Sequence, residues 1–212
     1  MINSIENNLK ILSRTPAIDS RYYKPENKVK NVVVLGSSKN SKELDKYLKA
    51  CSDVTRYFVE NGYNIVHGCG TMGIMGETYA TAQKYSAKNA NNKPVQNLGI
   101  ITEQLWGNEN LEDCILIGKA SSEADRIEKF VKVSDKFVIF PGSAGTIQEA
   151  STLVSKNVYN QNPPKIVLFG SDFWKPFEMV FKKIMEFDLL KNKHLFDIAD
   201  NVSDAVKFLL RK

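Results

Sequence analysis

The chain has little of what many protein classes require. Its three cysteines, Cys51, Cys69 and Cys114, are odd in number, far apart and never in a C-x-x-C pair. That pattern argues against both a disulfide framework and a zinc site. With two histidines in 212 residues, His-rich metal centres are excluded as well. No apolar run approaches the ~18 residues of a membrane span, and the opening Met1 to Lys10 has no apolar signal core. There is no basic run. The excess of 29 Lys and Arg over 24 Asp and Glu is spread among acids, as in Lys42-Glu43-Leu44-Asp45-Lys46, where a nucleic-acid binder would cluster it. Repeats and low-complexity tracts are also missing. These absences lead to an expected cytoplasmic protein with no membrane or nucleic-acid partner.

What the sequence does have is alternation. Short apolar runs, Val32 to Leu35, Asn64 to His67, Leu98 to Thr102, Cys114 to Ile117, Lys136 to Phe140 and Lys165 to Phe169, read as strands. Between them lie helical stretches: Leu44 to Asn61, Gly73 to Ala90, Ser122 to Ser134, Gly145 to Ser155 and Phe173 to Phe187, with Ser203 to Leu210 closing the chain. Strands apolar on both faces and separated by helices predict a doubly wound α/β fold: a mostly parallel, Rossmann-like sheet with helices on both faces. Residues 1–29, with Pro16 and Pro25 and weak periodicity, read as an N-terminal arm with a short helix near Ile5 to Ser13. Residues 30–212 read as a single nucleotide-binding domain.

In such folds ligands sit beyond the carboxyl ends of the strands, so the turn that leaves each strand matters. Gly36-Ser37-Ser38 comes after the first. Gly68-Cys69-Gly70-Thr71-Met72-Gly73-Ile74-Met75-Gly76 comes after the second. Pro141-Gly142-Ser143-Ala144-Gly145-Thr146-Ile147-Gln148-Glu149 comes after the strand ending at Phe140. Glycines admit close backbone approach to an anion, and helix starts offer unpaired N–H groups with partial positive charge. Three such turns make a rim suited to phosphate. Each has a plainer explanation: a capped turn for the first, tight helix–strand packing for the second, a dipole-complementing carboxylate for Glu149. Arg126, on the helix leading to the third turn, could equally be a surface ion-pair partner of Glu123.

These motifs resemble the LOG (LONELY GUY) family, the nucleoside 5'-monophosphate phosphoribohydrolases long labelled lysine-decarboxylase-like. The family pattern P-G-G-x-G-T-x-x-E is met by Pro141 to Glu149 at all positions but one. Its G-G-G-x-x-G-L-M-G is met by Gly68 to Gly76 with two changes, G-S-S by Gly36-Ser37-Ser38, and its E-R-K segment aligns with Asp125-Arg126-Ile127. The resemblance covers residues 30 to 187. Ser143 and Cys69 stand where the family has glycine, and Ile127 where it has lysine.

The resemblance implies hydrolysis of the N-glycosidic bond of a nucleoside 5'-monophosphate, such as AMP or a cytokinin riboside monophosphate. Glu149 and Arg126 are then the catalytic residues. Phosphate and ribose fall to Gly36, Ser37, Ser38, Gly70, Gly73, Gly142, Ser143, Ala144, Gly145 and Thr146. No metal or cofactor enters the scheme. The glutamate, near the positive end of a helix, is expected to be ionised at neutral pH. The family also implies a homodimer, with the Trp106 region a candidate surface. The alternative is a nucleotide-binding carrier or sensor of the same fold without turnover.

Overall fold

The computed structural model describes residues 18–19, 21, 28, 30–88, 95–103, 114–159, 162–190 and 194–211. The arm's expected helix and the Trp106 region lie outside these. The described residues form seven strands, β1 (Asn31–Leu35), β2 (Asn64–His67), β3 (Asn97–Thr102), β4 (Ile115–Ala120), β5 (Lys136–Ile139), β6 (Lys165–Phe169) and β7 (Asp197–Ala199). Six helices accompany them: α1 (Lys42–Glu60), α2 (Gly73–Lys88), α3 (Glu123–Val133), α4 (Ala144–Tyr159), α5 (Ser171–Glu186) and α6 (Val202–Leu210). Among the described residues no helix is long and apolar enough to cross a membrane.

All seven strands belong to one sheet, ordered β4-β3-β2-β1-β5-β6-β7, and every pairing is parallel. The doubly wound expectation therefore holds. The period-2 alternation of side chains divides β1 cleanly between the two faces. Val32 and Val34 pack with Cys51, Val54 and Phe58 of α1, Ile74 of α2 and Leu209 of α6. Val33 and Leu35 pack with Ile127 and Phe130 of α3, Leu153 of α4 and Trp174 of α5. Each fully buried aliphatic or aromatic side chain is worth roughly 1.5–3 kcal/mol of transfer free energy. Losing one from either face therefore removes a large fraction of a typical domain's net stability.

Local signals set the ends of the helices that matter to the site. Ser122 caps α3, its side chain accepting from the Asp125 amide. Gly62, at φ +83°, turns the chain after α1 toward β2, an angle that suits glycine. The edge strand β4 receives a bond from the arm, whose Asp19 amide donates to the Leu116 carbonyl at 2.7 Å.

The seventh strand was not expected from the sequence. Asp197-Ile198-Ala199 is three residues long and half-buried at the sheet edge, so it lacks the apolar run that marks the inner strands. Its place is fixed by pairing with β6, where Leu168 faces Ile198.

The strand order also locates the crevice. β1 and β5 are neighbours, but the chain leaves β1 toward β2 on one side and β5 toward β6 on the other. The connections diverge, and the gap between them opens at the carboxyl ends of these two strands.

Candidate active site

Gly36-Ser37 comes directly after β1 and Pro141-Gly142 closely after β5, and the two turns are joined. The Ser37 amide donates to the Pro141 carbonyl at 3.1 Å. Gly142 has to be glycine: a Cβ there would overlap Thr146 Oγ1 and stand 2.9 Å from the Ser37 amide nitrogen. At Gly36 a Cβ would meet Ile74 Cγ2 at 2.6 Å. The third turn, Gly73 at φ +61°, backs onto the first, where a Cβ would come within 2.7 Å of the Ser37 carbonyl oxygen. Gly73 also donates its amide to Asn40 Oδ1 at 2.9 Å, and the Met75 amide donates to the Ser37 carbonyl at 3.1 Å. The structure thus brings Gly36, Ser37, Gly73, Gly142 and Thr146 into one packed rim.

The remaining rim residues differ in what they can offer. Ser143, Ala144 and Gly145 are exposed at the start of α4, where the amides of the first turn have no partner within the helix. Around Gly145 a Cβ would meet nothing within 4 Å, so the space before this helix is open. Ser38 is exposed. The Ser37 hydroxyl, by contrast, is engaged locally, donating to the Lys39 carbonyl at 3.0 Å and accepting from the Lys39 amide at 3.1 Å. Gly70 lies against Met75, whose Cε would be 2.9 Å from a Cβ there.

The two departures from glycine behave differently. Among the described residues the non-glycine positions at positive φ are Cys69 (67°) and Asp188 (55°). Ser143 therefore adopts an ordinary backbone, and its serine strains nothing. Cys69 does sit in the left-handed region, at a cost of roughly 1–2 kcal/mol. Its amide is held by the buried ring of His67, Nδ1 accepting at 3.0 Å while Nε2 bonds Asn97 Oδ1 at 2.7 Å. That pattern makes Nε2 the protonated nitrogen of a neutral ring, and burial pushes the His67 pKa down to about 4.

Arg126 and Glu149 meet on the α3–α4 face. Arg126 Nη2 stands 3.2 Å from Glu149 Oε1 and 2.6 Å from Glu123 Oε2. The side chains of Arg126 and Glu149 are 9% and 7% exposed, so this is an interior pair, and the ion pair with the more exposed Glu123 that the sequence allows stands beside it. Nη1 lies over the start of the glycine-rich turn, 3.0 Å from where a Cβ of Gly68 would be. Arg126 Nε is buried without a hydrogen-bond partner, a donor left available.

The ionisation of Glu149 departs from expectation. Burial pushes its carboxyl up to about 7, outweighing the Arg126 charge, which pulls it down; the Glu123 carboxylate adds to the rise. From the sequence, Glu149 is expected to lie under the helix dipole. In the structure it is the sixth residue of α4, beyond the first turn in which the unpaired amides concentrate their charge.

A cavity of about 520 Å³ opens on the opposite side of the same turns. Ser37, Asn40, Tyr47, Gly142, Ser143 and Asp172 are among its lining residues; Arg126 and Glu149 are not. Sequence reasoning missed the cluster on its wall. The Tyr47 hydroxyl donates to Asp172 Oδ1 and Lys46 Nζ stands 2.5 Å from Oδ2. Residues 125 positions apart carry no local pattern that would pair them. Among the described residues no three His, Cys, Asp or Glu side chains converge as a metal site requires.

Known proteins share this fold, and a family model matches most of the chain. The family described as "Possible lysine decarboxylase" matches residues 59–209, well over half the chain. The chain belongs to this family, the LOG family. A cytokinin riboside 5'-monophosphate phosphoribohydrolase of Arabidopsis thaliana is 25% identical over 183 residues, covering 84% of this chain and 75% of the relative. A probable enzyme of the same description from Oryza sativa subsp. japonica is 24% identical over 178 residues, covering 82% and 74%. Among solved structures, the molybdenum cofactor carrier protein of Chlamydomonas reinhardtii superposes with a TM-score of 0.58 at 16% identity, over 87% of this chain and all of the other. The molybdenum cofactor binding protein of Rippkaea orientalis gives 0.57 at 17%, over 86% and 96%. At such identity the two structures speak to the fold alone.

The family's description names decarboxylation, a chemistry that pyridoxal phosphate performs through a lysine Schiff base and a partner for its pyridinium nitrogen. The residues present do not fit that group. Among the described residues the buried lysine is Lys136, which opens β5 at the far end of the sheet from the rim, its Nζ 2.6 Å from Asp135. The rim's Lys39 is exposed, and Lys46 is tied to Asp172.

Proposed function

We propose that the protein hydrolyses the N-glycosidic bond of a nucleoside 5'-monophosphate, releasing the base and ribose 5-phosphate. The observation that carries this reading is the buried Arg126–Glu149 pair on the helices bordering the Gly142–Thr146 turn, together with the family and its phosphoribohydrolase relatives. A carboxylate strongly perturbed by burial and held by a specific charge partner marks a candidate functional site.

In this reading the phosphate sits on the open amides of Ser143 to Thr146, where the helix start favours an anion. Fixing the phosphate positions the sugar. Glu149, in its ionised form, opposes the positive charge that builds on the sugar and takes a proton from the attacking water. With its pKa near 7, a useful fraction is ionised at neutral pH and the proton it accepts is held well. Arg126 cannot act as a proton donor, since a guanidinium does not deprotonate in proteins. Its role is to orient Glu149 and to offer the unpartnered Nε–H to the departing base. The enzyme is further proposed to be cytoplasmic and homodimeric, binding no nucleic acid.

A second reading is a carrier that binds a nucleotide-like ligand without turnover, since cofactor carriers have this same fold and the fold by itself does not choose between the two. The two part on one experiment. Nucleoside 5'-monophosphates and the matching nucleosides are incubated with the protein, and free base is measured by chromatography. Base release from at least one monophosphate, with none from its nucleoside, is the expected result. Tight binding without release favours the carrier, and equal turnover of AMP and adenosine overturns the phosphate's role.

A further inference from the structure

Glu123 has no part in the hydrolytic scheme, yet it makes the shorter of the two contacts to Arg126. Its Oε2 lies 2.6 Å from Nη2, against 3.2 Å for Glu149 Oε1, so one nitrogen serves two carboxylates. The two carboxylates differ in access to water. The Glu123 side chain is 41% exposed at the first position of α3, and that of Glu149 is 7% exposed. Ser122, capping α3 through the Asp125 amide, fixes where Glu123 begins its reach. One helical turn separates Glu123 from Arg126, the i, i+3 spacing at which side chains on a helix meet.

We propose that Glu123 is a positioning residue: it shares the Arg126 guanidinium with Glu149 and decides how much of the arginine's charge reaches the buried carboxylate. This rests on the proposed roles of Arg126 and Glu149 but not on the identity of the base removed. An arginine fully committed to Glu149 would hold it ionised and leave it a poor proton acceptor. An arginine whose charge is partly met by Glu123 lets Glu149 take and release a proton near neutral pH. The groups facing Glu149 that matter to this are Arg126 and Glu123, both from α3. His67 on β2 is neutral and bonded to Asn97. The other acids of α3 are occupied elsewhere, Asp125 by Lys129 and Glu128 by Lys156.

The test is the titration of Glu149 in the full chain, followed by carbon-13 NMR of labelled glutamate carboxyls and assigned by the signal missing from Glu149→Gln. In Glu123→Gln, which keeps the shape and loses the charge, the midpoint should fall by about one pH unit, within the range an opposite charge imposes at such distances. Glu123→Asp keeps the charge one methylene further back, and its midpoint should lie between the two. Base release from AMP, measured across pH, should show its acid limb moving down in step. A midpoint unchanged in Glu123→Gln overturns the proposal, as does a rate lowered equally at every pH with no displacement of the limb. Should the wild-type protein release no base while the NMR midpoint still moves, the hydrolase reading fails and the coupling through Glu123 stands.

Discussion

Two polar clusters flank the same strand ends, and they differ in their relation to water. On the α1 side, Lys46 and Asp172 pair at 2.5 Å with both side chains 56% exposed. On the α3–α4 side, Arg126 and Glu149 pair at 3.2 Å with both nearly sealed. The exposed pair gains little, since solvent screens it and ordering two side chains offsets the attraction. The sealed pair is costly to keep, since both charges lose hydration. A fold gains nothing in stability from holding such a pair where two apolar residues would fit, and that contrast is why the function is assigned to the second cluster. Substitutions in the two clusters should therefore have effects of very different size.

Glu149→Gln should produce the largest change. Glutamine keeps the shape of the side chain but neither accepts a proton from water nor opposes a developing positive charge. General-base catalysis alone is typically ~10²–10⁴-fold. Turnover should fall at least ~10²-fold, while binding of a nucleoside monophosphate, carried by phosphate contacts, stays near native by calorimetry. Turnover within a few-fold of wild type would reduce Glu149 to a structural residue. Loss of binding would move its role to holding the ribose.

Arg126→Ala should lower turnover by about 10²-fold, the scale seen when one preorganised donor is removed. Its burial also predicts a stability cost, which a surface arginine would not show. That cost is limited because Glu149, freed of its partner, takes up a proton instead of remaining a bare buried charge. The loss in Tm should therefore be smaller at pH 5, where Glu149 is protonated in both proteins, than at pH 8. Equal losses at the two pH values would show that the pair is not electrostatically coupled.

The pH dependence of stability offers a third contrast, between Glu149 and the equally buried His67. Burial raises Glu149 from 4.5 to about 7. The folded state binds that proton more tightly than the unfolded chain, so its contribution is full below pH 4.5 and is lost as pH rises through 7. Burial lowers His67 from 6.5 to about 4. Here the unfolded chain binds the proton more tightly, and the contribution, full above pH 6.5, is lost as pH falls through 4. Each is worth up to about 3 kcal/mol, with opposite slopes between pH 4.5 and 6.5. The wild-type urea midpoint should change little across that interval. Glu149→Gln removes one slope and should become more stable relative to wild type as pH rises from 5 to 8. A difference independent of pH would mean that burial does not govern Glu149.

The parts of this picture differ in how far they could be read from the sequence. The inner strands were legible because residues such as Val32 to Leu35 are buried on both faces, and a run of that kind has few other uses. β7 was not, because an edge strand of three residues with a half-buried Asp197 needs no apolar run. The convergence of Gly36, Gly73 and Gly142 was legible through turn chemistry, and the interest of Arg126 and Glu149 through family resemblance. The protonation of Glu149 was not. The sequence shows that a helix begins near it, but not that α3 closes over it, where desolvation outweighs the pull of Arg126. The strain at Cys69 and the ease at Ser143 depend on backbone angles that residue identity alone does not reveal.

The smallest effect is expected at the exposed cluster, and it sharpens the contrast because it is small. Lys46→Ala removes one close contact to Asp172, but Asp172 retains the hydrogen bond from the Tyr47 hydroxyl and lies within reach of water. No charge is stranded in the interior. The Lys46 ring contact with Tyr47, 5.1 Å to the centroid, is likewise at the surface, where such contacts contribute little. The Tm should stay within about 2 °C of wild type and should not respond to pH between 5 and 8, since Asp172 is held below the ordinary carboxylate range. Raising the salt should shrink the difference further, because exposed charges are screened within a Debye length. If instead Lys46→Ala destabilises the protein as much as Arg126→Ala, exposure does not separate the two clusters, and the case from desolvation that singled out Arg126 and Glu149 fails with it.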